Sequence, residues 1–199
     1  LVYGERRKVL DQPVDALEHA DMEDFSSKDS GDISSVYLDS VPALRDYHER
    51  LHRRDLAKAI RIRWYGVRDC CDGDKSIFVE RKIHRNAYTG MSSTKERGGI
   101  KEKQVAEFLS GQHVVDAGAK DAEFLKSVME EIHREEQVPL MRTSYQRTAF
   151  QNSTDNMVRI SLDTNLCMTK EYGYGARHSW CRDFSLFPLC DDEVAQFPY

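Results

Sequence analysis

The chain is 199 residues long with 40% hydrophobic and 32% charged residues, a globular composition sufficient to enclose one core. Its formal net charge of -5 argues against a general nucleic-acid binder, which needs a positive field. No apolar run approaches the length that crosses a bilayer as a helix, and Cys70, Cys71, Cys167, Cys181 and Cys190 read as reduced thiols, without the spacing of a metal knuckle.

The first segment, residues 1–32, reads as an N-terminal edge and a flexible acidic connector. Asp11, Asp15, Glu18, Asp21, Glu23, Asp24, Asp29 and Asp32 are opposed there by little more than Lys28, and Ser26, Ser27, Ser30 and Gly31 lie among them. Residues 33–199 read as the folded domain. Ile33–Asp39 is a short strand and Pro42 a turn. Ala57–Tyr65 alternates, with Ile60, Ile62 and Trp64 on one side and Arg61, Arg63 and Tyr65 on the other. After the turn at Asp72-Gly73-Asp74, Lys75–Arg85 is its antiparallel partner: Ile77, Val79, Arg81 and Ile83 share one face, Phe78, Glu80, Lys82 and His84 the other.

Two helices follow. Lys101–Ser110 stops at Gly111, and Lys120–Gln137 carries Phe124, Val128 and Ile132 on one stripe before Pro139 ends it. Leu140–Gln151 is a long strand, Asn152–Asn156 a turn, Met157–Asp163 its partner, and Leu166–Glu171 a further strand. Tyr172–Tyr199 gives no clear assignment. The class is α+β, built on an antiparallel sheet with peripheral helices.

Arginine and lysine occupy places on these strands where neutral polar residues are usual. Besides Arg61, Arg63 and Lys82, Tyr145 shares a face with Arg147, and Arg159 with Ser161 and Asp163. In an open sheet such a face simply meets water. Inside a barrel the same groups repel unless an anion compensates them, and Arg and Lys are suited to phosphate oxygens. Periodicity alone leaves both readings open.

Motifs in one order along the chain decide between them. Ser35–Asp39 (SVYLD), Ala59–Gly66 (AIRIRWYG), Ile77–Arg85 (IFVERKIHR), Lys101–Lys103 (KEK), Phe108–Gly111 (FLSG), Arg147–Gln151 (RTAFQ) and Val158–Thr164 (VRISLDT) resemble successive signatures of the polyphosphate-polymerase domain of the vacuolar transporter chaperone (VTC) family. A weaker match runs through Trp180, Arg182 and Asp183 to the last residues.

The resemblance implies a triphosphate-tunnel fold: an antiparallel β-barrel with a basic interior. It implies transfer of the ATP γ-phosphate onto a growing polyphosphate chain with Mn²⁺ or Mg²⁺. Arg61, Arg63, Lys82, Lys95, Tyr145, Arg147 and Arg159 are the matching positions and are expected to bind triphosphate or polyphosphate. Lys95 follows the Tyr88-Thr89-Gly90 turn, where an exposed loop lysine is the alternative, and for Tyr145 the alternative is a core tyrosine with a satisfied hydroxyl. Glu80 and Asp163 are expected to pair with neighbouring Arg and Lys rather than to hold metal.

The family's metal-binding glutamate would lie after Tyr199, and a basic residue of its preceding helix before Leu1. The piece is therefore expected to be incomplete at both ends and inactive alone. The expected partners are ATP, inorganic polyphosphate and other VTC subunits, with no nucleic acid and no membrane contact from this segment. By resemblance the whole protein is membrane-anchored and works at the cytoplasmic face of a vacuole or acidocalcisome. A non-catalytic sister subunit that binds polyphosphate is the first alternative. A tunnel triphosphatase is the second, weakened because Ser34–Asp39 lacks that branch's alternating glutamates.

Overall fold

The computed structural model describes residues 31–66, 73–113, 115–116, 118–151, 157–173, 180–182 and 194–196. Its strands are β1 (Gly31–Ser40), β2 (Lys58–Tyr65), β3 (Ser76–Ile83), β4 (Thr94–Lys101), β5 (Gln137–Gln151), β6 (Arg159–Lys170) and β7 (Val194–Gln196). They form one seven-stranded sheet in the order β4-β3-β2-β1-β5-β6-β7, with every neighbouring pair antiparallel. The helices are α1 (Arg45–Leu51), α2 (Val105–Leu109) and α3 (Ala122–Arg134). This is the α+β antiparallel architecture expected. Among the described residues the sheet stays open, with β4 and β7 at its two edges.

The apolar face of the sheet makes the core. Val36 and Leu38 of β1, Ile60, Ile62 and Trp64 of β2, Ile77 and Val79 of β3 and Ile100 of β4 pack with Val105 and Phe108 of α2 and Leu125, Val128 and Ile132 of α3. The period-two alternation of β2 and β3 and the helical stripe of α3 thus meet in one layer, where burial of apolar surface drives association. Trp180 closes one end, its ring edge-on to Trp64 at 5.7 Å. Ion pairs pin α3 to the strands: Arg81 of β3 reaches Glu131 at 2.8 Å and Glu96 of β4 at 2.8 Å, and Lys58 of β2 also bonds Glu131.

Several boundaries differ from those read from sequence. Gly31 and Asp32, assigned to the connector, open β1; the rest of that segment lies outside the described residues. A helix, α1, follows β1 where only a turn was expected. The helix expected from Lys101 is shorter, because the chain before it is a strand: β4 runs through Lys101, a single 3₁₀ turn spans Glu102–Gln104, and α2 starts at Val105. Its glycines Gly98 and Gly99 hid that strand, since glycine is depleted in strands. Gly98 is required by packing: a Cβ there would meet Leu125 of α3 at 2.8 Å.

Pro139 sits inside β5 rather than merely ending a helix. It stands opposite Leu38, while Met141 stands opposite Tyr37, so Leu140 is the extra residue of a bulge. The two strands expected over Met157–Asp163 and Leu166–Glu171 are one, β6. Between Cys167, opposite Ser144, and Thr164, opposite Gln146, the register slips at Asn165, whose φ of 54° lies in the left-handed region. The turns expected at Asn152–Asn156 and at Asp72 fall outside the described residues.

Candidate functional site

The other face of the sheet carries the basic residues in rows across the strands. Register places Arg97 (β4), Glu80 (β3), Arg61 (β2), Tyr37 (β1) and Met141 (β5) side by side. The next row toward α1 contains Lys95 opposite Lys82 and Lys82 opposite Ala59. The row on the other side contains Phe78, Arg63, Ser35 and Thr143. Neighbouring strands lie roughly 5 Å apart, so each row is a ladder of closely spaced side chains.

One carboxylate organises this face. Glu80 is fully buried, and its Oε2 accepts from Arg61 Nε at 2.8 Å and Nη2 at 2.6 Å. Its Oε1 lies 3.0 Å from Lys95 Nζ and 3.2 Å from Arg97 Nε, and Arg63 Nη1 is 3.9 Å from Oε2. Burial would raise the pKa of Glu80, but the hydrogen bonds from Arg61 and Lys95 outweigh it and hold the carboxyl below its ordinary value. Arg61 is likewise desolvated, yet Tyr37 and Glu80 beside it keep its guanidinium firmly charged. Lys82 moves the opposite way. Desolvation, together with Arg61, Lys95 and Arg63, pushes its pKa down, the behaviour of an ammonium in an excess of like charge. Among the described residues five cations thus surround one anion, which leaves a strongly positive patch.

Hydroxyls fix the orientation of these cations. Arg61 Nη1 donates to the Tyr37 hydroxyl at 3.1 Å, Arg63 Nε to Ser35 Oγ at 2.9 Å and Arg63 Nη2 to the Tyr145 hydroxyl at 3.3 Å. Arg97 Nη2 donates to the Tyr65 hydroxyl at 2.6 Å, and its guanidinium lies 3.8 Å from the centre of the Phe78 ring.

Of the residues expected from sequence, Arg61, Arg63, Lys82 and Lys95 come together. Lys95 lies on β4 and not on a loop. Tyr145 joins them through Arg63, and Arg147 lies 5.1 Å from the centre of the Tyr145 ring while bonding Asp163 through two hydrogen bonds of 2.6 and 2.7 Å. Glu80 and Asp163 both serve as partners of Arg and Lys, the use expected of them. Arg159 is apart: it is exposed, on the same face but four residues along β6 from Asp163, roughly 13 Å away. Arg97 was missed. Its signal was the alternation of Lys95 and Arg97, which two glycines immediately after it obscured.

Two recesses flank α1, whose first turn is held by Asp39: its Oδ1 accepts from the backbone N–H of Asp46 at 3.1 Å and its Oδ2 from that of Tyr47 at 2.9 Å. One, of about 600 Å³, is lined by Arg50, Arg53, Lys82, His84 and Lys95, among others. The other, of about 430 Å³, lies between α1 and the β1–β5 side of the sheet. Among the described residues no three His, Cys, Asp or Glu side chains converge, and Glu80 is already shared by its cations. These side chains do not fit a protein-held Mn²⁺ or Mg²⁺.

Three comparisons place the chain among known proteins. It is 39% identical over 197 residues to vacuolar transporter chaperone complex subunit 4 of Schizosaccharomyces pombe, covering 88% of this chain and 26% of that protein. It is 36% identical over 186 residues to subunit 4 of Trypanosoma brucei brucei (84% of this chain, 23% of that one), and 31% over 162 residues to subunit 2 of S. pombe (77% and 21%). The chain spans about a quarter of the length of these curated relatives. Among solved structures, a putative adenylate cyclase from Bacillus halodurans aligns with 84% of this chain and 67% of its own at a TM-score of 0.39 and 12% identity. The VTC domain profile matches residues 5–199, all but the first four residues, and the chain accordingly belongs to the VTC domain family.

Proposed function

We propose that this domain binds the triphosphate of ATP and inorganic polyphosphate on the basic face of β2–β4, and that it transfers the γ-phosphoryl group to the end of a polyphosphate chain. The observation that carries the reading is the cluster of Arg61, Arg63, Lys82, Lys95 and Arg97 around the carboxylate of Glu80. An unbalanced positive patch built on rigid strands is suited to a polyanion, and phosphoryl transfer asks chiefly for alignment and neutralisation of charge. Arg61 and Arg63, oriented by Tyr37, Ser35 and Tyr145, would fix the phosphates in line. Lys82 and Lys95 would neutralise charge that builds on the departing diphosphate. Tyr145 and Arg147 would extend the track along β5, with Arg159 further out. Among the described residues no side chains offer a site for Mn²⁺ or Mg²⁺, and the glutamate expected to hold it would lie after Tyr199.

Similarity to proteins named as complex subunits supports other VTC subunits as partners and a vacuolar membrane as the place of work. The rival reading is a sister subunit that binds polyphosphate without making it. A single experiment separates them. The full-length protein and its Arg61→Ala/Arg63→Ala variant are incubated with ATP and Mn²⁺, and polyphosphate is assayed. The expected result is polymer from the first and none from the second. Salt-sensitive polyphosphate binding without polymer would assign the sister-subunit role, and absence of both would return the cluster to an ordinary surface.

A further inference from the structure

Polar groups, not apolar ones, attach α1 to the sheet. Of its seven residues Asp46 alone is buried, at 4% exposure, so the side chain that seats the helix is a carboxyl. The entry to the helix is strained, because Leu44 lies in the left-handed region at a φ of 46°. Gln137, the first residue of β5, is 6% exposed and donates from Nε2 to Asp46 Oδ2 at 2.8 Å. Its own amide oxygen is buried and has no hydrogen-bond partner among the described residues. A buried acceptor without a donor carries a desolvation penalty.

An ionised Asp46 cannot supply that donor, since a carboxylate only accepts, whereas a protonated one can. Acid and primary amide are then complementary edges, with N–H to the carboxyl oxygen and O–H to the amide oxygen. We propose that Asp46 and Gln137 form a proton-operated latch that seats α1 on the sheet. With the acid protonated the pair closes into a ring of two hydrogen bonds, and with it ionised the helix is released more readily.

The surrounding groups favour the closed form. Burial first, then Asp39 of β1 and Glu135 just beyond α3, disfavour charge on Asp46. Lys58 of β2 favours it, but Glu131 and Glu135 already share that ammonium. On α1 itself Arg50 lines the same cavity and is exposed to water. While α1 is seated, Asp46 therefore keeps its proton up to about pH 6, against an ordinary value of 3.8 once the helix lifts and the carboxyl is solvated. The lifted form binds the proton less tightly, so lifting becomes easier as pH rises through this range. Arg50 lines both recesses beside α1, and the latch thereby sets how firmly one wall of the cationic recess is held.

The test is amide hydrogen exchange of the full-length protein at pH 5.0 and pH 7.5, corrected for intrinsic rates, with α3 as internal reference. In the native chain α1 is expected to lose about ten-fold of its protection between the two, while α3 keeps its own. Asp46→Asn offers Gln137 the same two hydrogen bonds at every pH, and its α1 is expected to be equally protected at both. His48 and His52 are retained in that variant, so a contribution of theirs would persist there. Gln137→Leu removes both bonds of the ring and is expected to lower the protection of α1 at pH 5.0 several-fold. No change in the native chain, the same loss in Asp46→Asn, an equal loss in α3, or unaltered protection in Gln137→Leu would each overturn the latch.

Discussion

Glu80 holds the cations that, on the proposed function, a phosphate would bind. Removing this carboxylate leaves Arg61 and Arg63, the two buried cations of the group, without the partner they share, a change that costs roughly 3–5 kcal/mol when the pair is fully buried. Lys95 and Arg97 are about half and a third exposed, so part of this is screened by water. Glu80→Gln is therefore expected to lower the melting temperature of the ligand-free protein, and tripolyphosphate is expected to raise it by more than it does in the native chain. A ligand-induced rise no larger than the native one would show that Glu80 and phosphate do not compete for the same cations. Asp46 gives a second residue-scale expectation. Burial, followed by the nearby Asp39, raises its pKa from 3.8 to about 6. An acid whose folded pKa is raised binds its proton more tightly in the folded state. Its charged form therefore opposes folding above pH 6, and the penalty is relieved as pH falls from about 6 toward 4. Asp46→Asn keeps an oxygen for Gln137 Nε2, now 2.8 Å from Oδ2, and should stabilise the domain at pH 7–8 by on the order of 1–2 kcal/mol after screening. Urea titrations at pH 8 and pH 4.5 check this, with the gain expected only at the higher pH.

At the scale of elements, β4 joins core to site. Its odd residues Lys95 and Arg97 reach Glu80, and its even residues Glu96, Gly98 and Ile100 face α3 or the core. The backbone N–H of Gly99 donates to Asp121 Oδ2 at 2.6 Å, which holds the strand against the start of α3. A side chain at position 98 must displace Leu125, so Gly98→Val is expected to cost about 1–3 kcal/mol by overpacking. The same shift carries Lys95 and Arg97 away from Glu80. Tripolyphosphate affinity should therefore fall with stability in this variant, although no residue touching phosphate has changed; denaturation and titration of one preparation measure both.

Across the whole molecule, what could be read from the chain divides along the sheet. β2 and β3 were legible because they alternate, with Ile60, Ile62 and Trp64 of one and Ile77 and Val79 of the other on the apolar side. The pairing of the two, and with it the meeting of Arg61 with Glu80, follows from that alternation. α3 was legible from its stripe. β4 was not, because Gly98 and Gly99 answer to the close approach of α3, a tertiary fact with no local signature. α1 was hidden for a related reason: it is seven residues long and exposes Tyr47 and Leu51, so it has no apolar stripe to read. Both recesses beside the cluster depend on α1, and that part of the site was invisible with it. At β6 the sequence did register an interruption near Thr164, but a bulge and a chain break look alike to periodicity.

The bulges at Leu140 and Asn165 act on the strands as single-letter insertions act on a reading frame. Every residue beyond them is assigned to one side of the sheet by counting, and one extra residue inverts the count. Tyr145 and Arg147 lie downstream of the first insertion, and Asp163 faces Arg147 only because the second restores the phase across β5 and β6. Half of the basic track therefore depends on two residues that carry no charge and touch no phosphate. Loss of either would leave every functional side chain in the sequence while turning some of them to the wrong side of the sheet.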